Sequence, residues 1–461
     1  MSGRDSVGTD PGAPSSADDR AVDTSFARRD VLKGLAGAGA VASGVAGADR
    51  VAGLTGGRRG RYVVGVDPGH EAAAEAHAQA QSTALRLHRE IDLGDVRQVV
   101  AGWYTREQRE RLRRHPAVAY VEPEQFLEPH RPTLSDPEPT GHGGYPWGIE
   151  RIDADAAHAD GYTGDGADVV IVDTGSDPEH QSLGANVGVG GAFGDGDCVE
   201  TERQFATVDC NAVWDDDQYH GTHVGGTAAA VDRALDDNAN PSVDVDRVAG
   251  VAPEATIHVA NVFEWFEDGN EWVPLAPSSN TADAIRWTAD QGYDVVNASL
   301  GGPNPTTVIE DALAYAVGQH DVVFVSSAGN DGEVCDQDPH NDDPDDCVGY
   351  PAAFADALAV GNTEHDDTVN PTSSRGPEVG VAAPGTAVLS AIPAHLKRES
   401  DIVDGDHWWL TGTSMASPRT SRASPPCSRP TLTSRAATRS GRASANRQLI
   451  SAPATSSPAP G

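Results

Sequence analysis

Lysine is nearly missing from this chain, and so are long apolar runs. Of the 33 basic residues only Lys33 and Lys397 are lysines, and 70 acidic residues bring the net charge of the 461-residue chain to −37. A surface this negative repels phosphate backbones and anionic lipids, which argues against nucleic-acid binding and membrane binding. No apolar run reaches the roughly 18–20 residues that cross a bilayer, which argues against an integral membrane protein.

What is present still builds a globular protein. Apolar residues make up 38% of the chain, and together with 50 glycines they reach the share that is ordinary for a globular protein. Abundant acids with almost no lysine resemble the composition of proteins from salt-loving archaea, and an ordinary acidic secreted protein is the alternative.

Cysteine is scarce as well. Of five cysteines, four form two pairs spaced twelve apart, Cys198 with Cys210 and Cys335 with Cys347. Neither pair has the CxxC spacing of a metal site. We expect two short-loop disulfides formed in an oxidising compartment, with free thiols as the alternative.

The first 48 residues have the pattern of an export signal. Arg28 and Arg29 open the sequence RRDVLKG, and a weakly apolar stretch runs to Ala48. This resembles a twin-arginine signal peptide over residues 1–48, which predicts a secreted protein. An arginine pair before an alanine-rich helix is the alternative.

Residues 58–128 are predicted to form a small α+β domain. Strands are expected at 61–66 and 117–122, and helices at Glu71–Glu90 and Thr105–His115. Residues 129–144 are rich in proline, threonine, glutamate and glycine, which predicts a linker.

From residue 145 to 418, apolar runs alternate with helical patterns. The runs are ADVVIV, TIHVANV, YDVVNASL, DVVFVSS and ALAVGN. Uninterrupted β-branched runs predict strands buried on both faces, so the fold class is α/β, a mostly parallel sheet with helices on both faces. The chemistry of such a sheet lies at the carboxyl ends of its strands.

Four polar residues stand at those strand ends or helix starts: Asp173, His220, Asn330 and Ser414. Taken singly, Asp173 and Ser414 could merely cap a turn or a helix. His220 and His223 could bind a metal, but a zinc-peptidase helix needs HExxH and no such glutamate follows. Together, on one predicted sheet, they indicate nucleophilic catalysis by serine.

These residues lie in segments that resemble the subtilases, the subtilisin-like serine endopeptidases. The segments are IVDTGSD, HGTHVGGT, GVAPEATIHVANV, NASLGGPN, VSSAGNDG, GYPAAFADALAVG, NPTSSRGPEVGVAAPG and GTSMASP, within about residues 145–418. The order Asp, His, Ser is that of subtilisin. The resemblance implies a subtilisin-like fold, and it is greatest to haloarchaeal secreted members of the halolysin type.

The resemblance also implies roles. Ser414 would be the nucleophile, His220 its general base, Asp173 the partner that orients His220, and Asn330 a donor to the oxyanion, while His223 would be structural. Substrate main chain would pair with Ser299, Leu300 and Gly301, and Gly329 and Gly349 would line the pocket for the residue before the scissile bond (P1). Glycines leave volume there, so we expect a broad preference for large apolar or aromatic P1 side chains.

Further expectations concern the whole protein. Residues 58–128 would be an inhibitory propeptide bound to its own catalytic domain (145–418), removed by self-cleavage between about Glu128 and Tyr145. The enzyme would act on proteins or peptides as a monomer, without a cofactor in its chemistry and without a metal at the catalytic site.

The chain departs from the family pattern in its expected calcium sites. The family commonly has His-Pro-Asp-Leu after the catalytic aspartate, but here the segment is His180-Gln181-Ser182-Leu183. The calcium site that uses this aspartate is therefore not expected. The loop between Cys335 and Cys347 contains six aspartates, and both a salt-adapted solvated loop and an ion site remain open, so a structural calcium ion is left unassigned.

The C-terminal tail departs further. The family continues after Pro418 into a long apolar helix, but residues 419–461 contain seven arginines, no acid and no apolar stripe. Written in GC-rich codons and read two bases later, this segment gives HVAGVAALLPAHPD, the helix that is expected. We infer a frameshift after Pro418, in the gene or in its sequencing, and expect a disordered tail.

Three hypotheses follow for function. The first is a secreted serine endopeptidase made as a zymogen. The second is a metalloprotease using His220 and His223. The third is an inert frameshifted product whose propeptide is only a protease-binding module.

Overall fold

The fold is given by a computed structural model, which describes residues 59–135, 144–194, 201–202, 216, 218–235, 245, 247–268, 271–337, 347–394, 396 and 406–420. The predicted signal peptide, Cys198, Cys210, most of the aspartate-rich loop and the tail beyond residue 420 lie outside these residues. Cys335 and Cys347 are described and are not joined to each other, so the disulfide predicted for them finds no support. Within the described part, no helix has both the length and the apolar character needed to cross a membrane.

An N-terminal module occupies residues 59–123. Its elements are β1 (Arg59–Val66), α1 (Ala73–Thr83), β2 (Arg86–Asp92), β3 (Gln98–Thr105), α2 (Arg106–Leu112) and β4 (Val118–Pro123). The four strands form an antiparallel sheet in the order β2-β3-β1-β4. Helix α2 begins at a capping box, in which the Thr105 side chain and the Gln108 side chain each bind the other's backbone N–H.

The helix expected over Glu71–Glu90 is wrong in its last third. Helix α1 ends at Thr83, and Arg86–Asp92 forms a strand that pairs with β3. The segment RLHREID consists largely of good helix formers, so its local preference favours a helix. Pairing with β3 and burial of Ile91 at its end outweigh that preference.

The larger part of the chain is built on an eight-stranded sheet. Its strands are β7 (Asp168–Asp173), β8 (Val187–Ala192), β9 (Thr201–Glu202), β12 (Thr256–Asn261), β15 (Val295–Ala298), β17 (Val323–Ser327), β18 (Leu358–Thr363) and β19 (Val379–Pro384). Their order is β19-β18-β17-β15-β7-β12-β8-β9, and all neighbours run parallel except the edge pair β8–β9. The predicted α/β fold with a mostly parallel sheet is confirmed.

The remaining elements flank this sheet. The helices are α3 (Trp147–Arg151), α4 (Ala154–Ala159), α5 (His220–Ala229), α6 (Ser278–Gln291), α7 (Thr307–His320), α8 (Gly332–Gln337), α9 (Thr413–Ala416) and a 3₁₀ turn (Ser417–Thr420). The strands are β5 (Phe126–Pro129), β6 (Thr133–Leu134), β10 (Arg233–Ala234), β11 (Arg247–Val248), β13 (Glu264–Asp268), β14 (Glu271–Pro277), β16 (Leu300–Gly301), β20 (Val388–Ala391) and β21 (His407–Thr411).

Alternate residues of β7 bury opposite faces of the sheet. Val169 and Ile171 pack in one apolar cluster with Val224 of α5. Val170 and Val172 pack in the other, with α6 and α7. This period of two explains why the strand is apolar throughout, since neither face meets solvent.

The N-terminal module packs against α6 and α7. Val63, Val99 and Ala101 on one face of its sheet belong to the same apolar cluster as Ile309 and Leu313 of the larger part. Among the described residues, three arginine–carboxylate ion pairs cross this contact, Arg61–Glu264, Arg89–Asp283 and Arg97–Asp311, at 3.1, 2.5 and 2.8 Å. Both parts therefore bury apolar surface that each alone would expose.

Residues 126–135 follow the module and lie along the larger part. β5 pairs with β14 and with β16, and β6 pairs with β21. The start of the segment expected as a linker (129–144) is thus extended chain paired on both sides of residue 130.

Candidate active site

The site lies at the carboxyl edge of the parallel sheet. β7, β15 and β17 are neighbours, and Asp173, Ser299 and Asn330 stand at or just beyond their ends. His220 is the first residue of α5, and Ser414 lies in the first turn of α9. The topology therefore brings residues from five distant segments to one edge.

Asp173 and His220 form a buried pair. His220 Nδ1 is 2.7 Å from Asp173 Oδ1, which also accepts a hydrogen bond from the Thr174 backbone N–H. Burial acts to lower the pKa of His220, but the charge and hydrogen bond of Asp173 outweigh it, so the pKa lies above its usual value. Asp173 thus fixes the ring with Nε2 towards the cleft.

Ser414 and His220 meet at one atom, the carbonyl oxygen of His130. Ser414 Oγ donates to this oxygen at 2.9 Å, and His220 Nε2 lies 3.3 Å from it. The segment before the larger part therefore lies directly over the serine and the histidine.

Asn330 is held with its amide nitrogen in the cleft. Its Oδ1 accepts hydrogen bonds from the backbone N–H and the hydroxyl of Thr413, at 2.9 and 3.0 Å. Its Nδ2 donates to the Arg131 carbonyl at 3.2 Å. Thr413 precedes Ser414, so one turn orients the amide and carries the serine.

The residues expected to bind substrate line the same cleft. Leu300 and Gly301 pair antiparallel with Pro129 and Glu128, and the Ser299 carbonyl accepts from the His130 N–H at 3.2 Å. Gly301 lies under the His130 ring, where an added Cβ would come within 2.4 Å of its Nε2.

Gly329 and Gly349 form the neighbouring wall. Gly329 has φ +117°, a conformation open to glycine, and Gly349 donates to the Ala328 carbonyl at 3.0 Å. The structure thus gathers all the residues predicted for the site along one cleft.

Sequence reasoning missed three groups around this site. Buried Asp216 accepts from the backbone N–H and hydroxyl of Thr222 and from the Thr174 hydroxyl, at 2.7 to 2.9 Å. Burial raises its pKa. It links the end of β7 to the start of α5 by hydrogen bonds. The sequence feature that could have identified it is an aspartate four residues before His220, close to the predicted helix start. The other two groups, His130 and Ser327, have no sequence feature that indicates a role in the site.

His223 lies apart from the cleft. Its Nε2 is 3.2 and 3.1 Å from the carbonyls of Val388 and Trp408. A nitrogen that donates to a carbonyl carries a proton and cannot ligate a metal. Burial lowers the pKa of His223 to about 3, which keeps the ring neutral.

One group among the described residues has the spacing of a metal site. It consists of His180, Asp406 and His407. His407 Nδ1 is 2.8 Å from Asp406 Oδ1, and its Nε2 is 3.0 Å from Ser182 Oγ. Two imidazoles do not suit calcium, which prefers oxygen ligands. The group instead ties the segment after β7 to β21 by hydrogen bonds.

Comparison with known proteins places the chain in a family. Residues 164–424 match the subtilase family. Subtilisin E of Bacillus subtilis is 30% identical over 68% of this chain and 65% of its own length, so the chain spans less than two thirds of that relative. Subtilisin DY of Bacillus licheniformis is 34% identical over 60% of this chain and 82% of its own length.

A solved structure shares the fold. Fervidolysin from Fervidobacterium pennivorans, described as a keratinolytic enzyme related to subtilisin, matches with a TM-score of 0.57 and 24% identity, over 79% of this chain and 54% of that one. Since the family match covers more than half of the residues, the chain belongs to the subtilase family.

Proposed function

We propose that the protein is a secreted serine endopeptidase that hydrolyses peptide bonds through an acyl-enzyme on Ser414. The observation that carries this proposal is the meeting of Ser414, His220 and Asn330 around one stretch of peptide, with Asp173 bound behind His220. The hydroxyl of serine is a weak nucleophile at its own pKa and needs an adjacent base.

In this mechanism His220 Nε2 takes the Ser414 proton and later gives it to the leaving amine. Asp173 stabilises the imidazolium that forms in between. Only the neutral imidazole accepts a proton, so activity should rise with pH through the raised pKa of His220.

The tetrahedral intermediate carries an oxyanion, and Asn330 Nδ2 is the side-chain donor assigned to it. The hydrogen bonds from Thr413 hold the amide in place before reaction, so no reorganisation is needed when charge develops. Loss of this donor should lower kcat by about 10²–10³, the size measured for the corresponding asparagine in subtilisin.

Residues 58–128, which comprise the N-terminal module and the short segment after it, are assigned as an inhibitory propeptide. Glu124 accepts three hydrogen bonds at the start of α6, at 2.7 to 3.0 Å. The donors are the Ser278 hydroxyl, the Ser279 hydroxyl and the Ser279 backbone N–H. Glu122 accepts from the Thr307 hydroxyl and the Val308 N–H at the start of α7. Carboxylates at helix N-termini are stabilised by the free N–H groups there, so the module has charged contacts as well as apolar ones.

The remaining assignments rest on the sequence. They are export by the twin-arginine route, adaptation to high salt, a monomeric state, protein or peptide substrates, and a broad preference for large P1 side chains. The space that the His130 ring fills beside Gly301 supports a pocket of aromatic size.

A direct test uses an unfolded protein such as casein in molar salt. Hydrolysis should persist when transition metals are chelated and should vanish after organofluorophosphate labelling and in the Ser414→Ala variant. Hydrolysis that survives Ser414→Ala, or that chelation abolishes, would exclude the serine mechanism.

Arg419 favours the third of the hypotheses drawn from the sequence, an inert frameshifted product. Its side chain is buried, its Nε and Nη1 find no hydrogen-bond partner among the described residues, and burial lowers its pKa to about 10. The alternate reading frame places histidine at this position. Restoring that frame should give activity that the chain as written lacks, and equal activity of both chains would exclude this candidate.

A further inference from the structure

One peptide bond of the chain itself lies over the catalytic residues. Before it, Pro129 pairs with Leu300, and the His130 N–H donates to the Ser299 carbonyl. After it, Thr133 and Leu134 pair with β21. The backbone is therefore held on both sides of a short stretch, and the bond of this stretch whose carbonyl contacts Ser414 and His220 joins His130 to Arg131.

The carbonyls on either side of this bond contact the catalytic groups. The His130 oxygen contacts Ser414 Oγ and His220 Nε2, at 2.9 and 3.3 Å, and the Arg131 oxygen contacts Asn330 Nδ2 at 3.2 Å. The His130 oxygen faces the serine and not the amide of Asn330. The peptide plane must therefore turn before Ser414 can attack.

The His130 side chain occupies a pocket that has a polar group inside it. Its Nδ1 lies 2.6 Å from Ser327 Oγ, and its Nε2 lies over Gly301. Ser327 is the last residue of β17 and is fully buried. A buried hydroxyl that loses its partner costs free energy, so this pocket distinguishes an imidazole from an apolar ring of similar size.

On the basis of the proposed function, we propose that His130–Arg131 is the bond presented for self-cleavage, and that Ser327 makes the pocket select a neutral histidine before the scissile bond. The Ser414 oxygen would form an ester with the His130 carbonyl carbon as the bond to the Arg131 nitrogen breaks. The serine proton passes through His220 to that nitrogen. Water then hydrolyses the ester and leaves His130 as a carboxylate.

The charge state of the ring follows from its surroundings. Burial, followed by the charge of His220, lowers the pKa of His130 to about 3. A free histidine has a pKa of about 6.5. Below that pH the free peptide becomes charged while the pocket still accepts only the neutral ring, so binding weakens as pH falls.

The first experiment compares two peptides, FLEPHRPTLS, which matches residues 126–135, and the same peptide with phenylalanine in place of histidine. For the processed enzyme, Ser327→Ala should lower kcat/KM for the histidine peptide about tenfold, the fold-change of one hydrogen bond. The phenylalanine peptide should be unaffected or cut faster. Equal losses for both peptides would overturn the role of Ser327.

The ratio of the two kcat/KM values gives a second readout. Titration of His220 affects both peptides and cancels in the ratio. The histidine-to-phenylalanine ratio should fall below pH about 6.5, approaching tenfold per pH unit. A ratio independent of pH would contradict selection of the neutral ring.

The bond itself is identified by the intact mass of the processed protein, which should begin at Arg131. A start elsewhere between residues 128 and 145 would overturn this assignment and leave the proposed function standing. The position of the His130 ring in the pocket can be tested without catalysis by NMR of full-length Ser414→Ala. The imidazole signal of His130 is identified as the one that disappears in His130→Gln.

The seated ring should not titrate between pH 8 and 5, whereas the ring of the free FLEPHRPTLS peptide should. If His130 titrates like the free peptide, the proposal is overturned. If the ring stays neutral but the wild-type chain hydrolyses no substrate, the proposed function fails, while the placement of the His130 ring in the pocket is supported.

Discussion

Arg419 allows a quantitative test of the effect of the tail on the core. It lies in the 3₁₀ turn directly after the turn that contains Ser414, with 5% of its surface exposed. Burial lowers its pKa from 12.5 to about 10. The charged guanidinium is therefore about 3 kcal/mol less favourable in the folded protein than in the unfolded chain.

Arg419→Met keeps the apolar stem and removes the charge. We expect the free energy of unfolding to rise by about 3 kcal/mol at neutral pH, a large fraction of the roughly 5–15 kcal/mol of a typical domain. The gain should shrink above pH 10, because a base whose pKa is lowered by folding loses its penalty once it is neutral. Urea unfolding of Ser414→Ala chains in molar salt measures both effects.

A matched control and a neighbouring residue sharpen this test. Arg106 is exposed and paired with Glu110 one helical turn on, so Arg106→Met should leave stability unchanged. A Cβ on Gly148 would lie 2.6 Å from Arg419 Cζ, so Gly148→Ala should destabilise the wild type and be tolerated beside Arg419→Met. If Arg419→Met is no more stable than the wild type, the buried guanidinium does not destabilise the folded protein, and the reasoning is refuted.

Three further predictions concern catalysis, the proposed propeptide and salt. Asp173→Asn should lower kcat about 10⁴-fold, as the same change does in another serine protease. It should also move the acid limb of the pH–kcat profile to lower pH, because the group that raises the pKa of His220 is gone. An acid limb at the same pH in both proteins would contradict this. Glu124 is fully buried against the start of α6, where it accepts from the Ser279 N–H. In full-length Ser414→Ala, Glu124→Gln should therefore lower the free energy of unfolding by about 2 kcal/mol. The matched control, Glu75→Gln at an exposed position, should leave it unchanged. The melting temperature should fall between molar and millimolar salt, because a net charge of −37 repels itself more strongly as the Debye length grows from about 3 Å at 1 M to about 30 Å at 0.01 M; a level or rising melting temperature speaks against salt dependence.

The parallel sheet could be predicted because its strands are buried on both faces. Val169 to Val172 form an unbroken apolar run that only such a strand requires. The cleft followed from the same pattern, since Asp173 and Asn330 come at or just beyond the ends of neighbouring strands in a parallel sheet, whose carboxyl ends share one edge.

Other features depend on contacts that no local pattern encodes. β2 looked helical because its residues favour helices, and only its pairing with β3 makes it a strand. Pro129 and His130 begin the segment whose composition predicted a linker, and only pairing along the edge formed by Leu300 and Gly301 makes this part extended. Ser327 could not be distinguished from Ser326 by sequence, since the two differ in which face of β17 they occupy.

Active-site titration tests the central claim, that Ser414 is a nucleophile activated by His220, most directly. The processed protein in molar salt, mixed with an activated ester, should release a burst of one leaving group per chain, followed by slow turnover. Acid quenching and mass spectrometry should locate the acyl group on Ser414, and both His220→Ala and Ser414→Ala should abolish the burst. A burst that survives in either variant, or an acyl group on another residue, would contradict the mechanism.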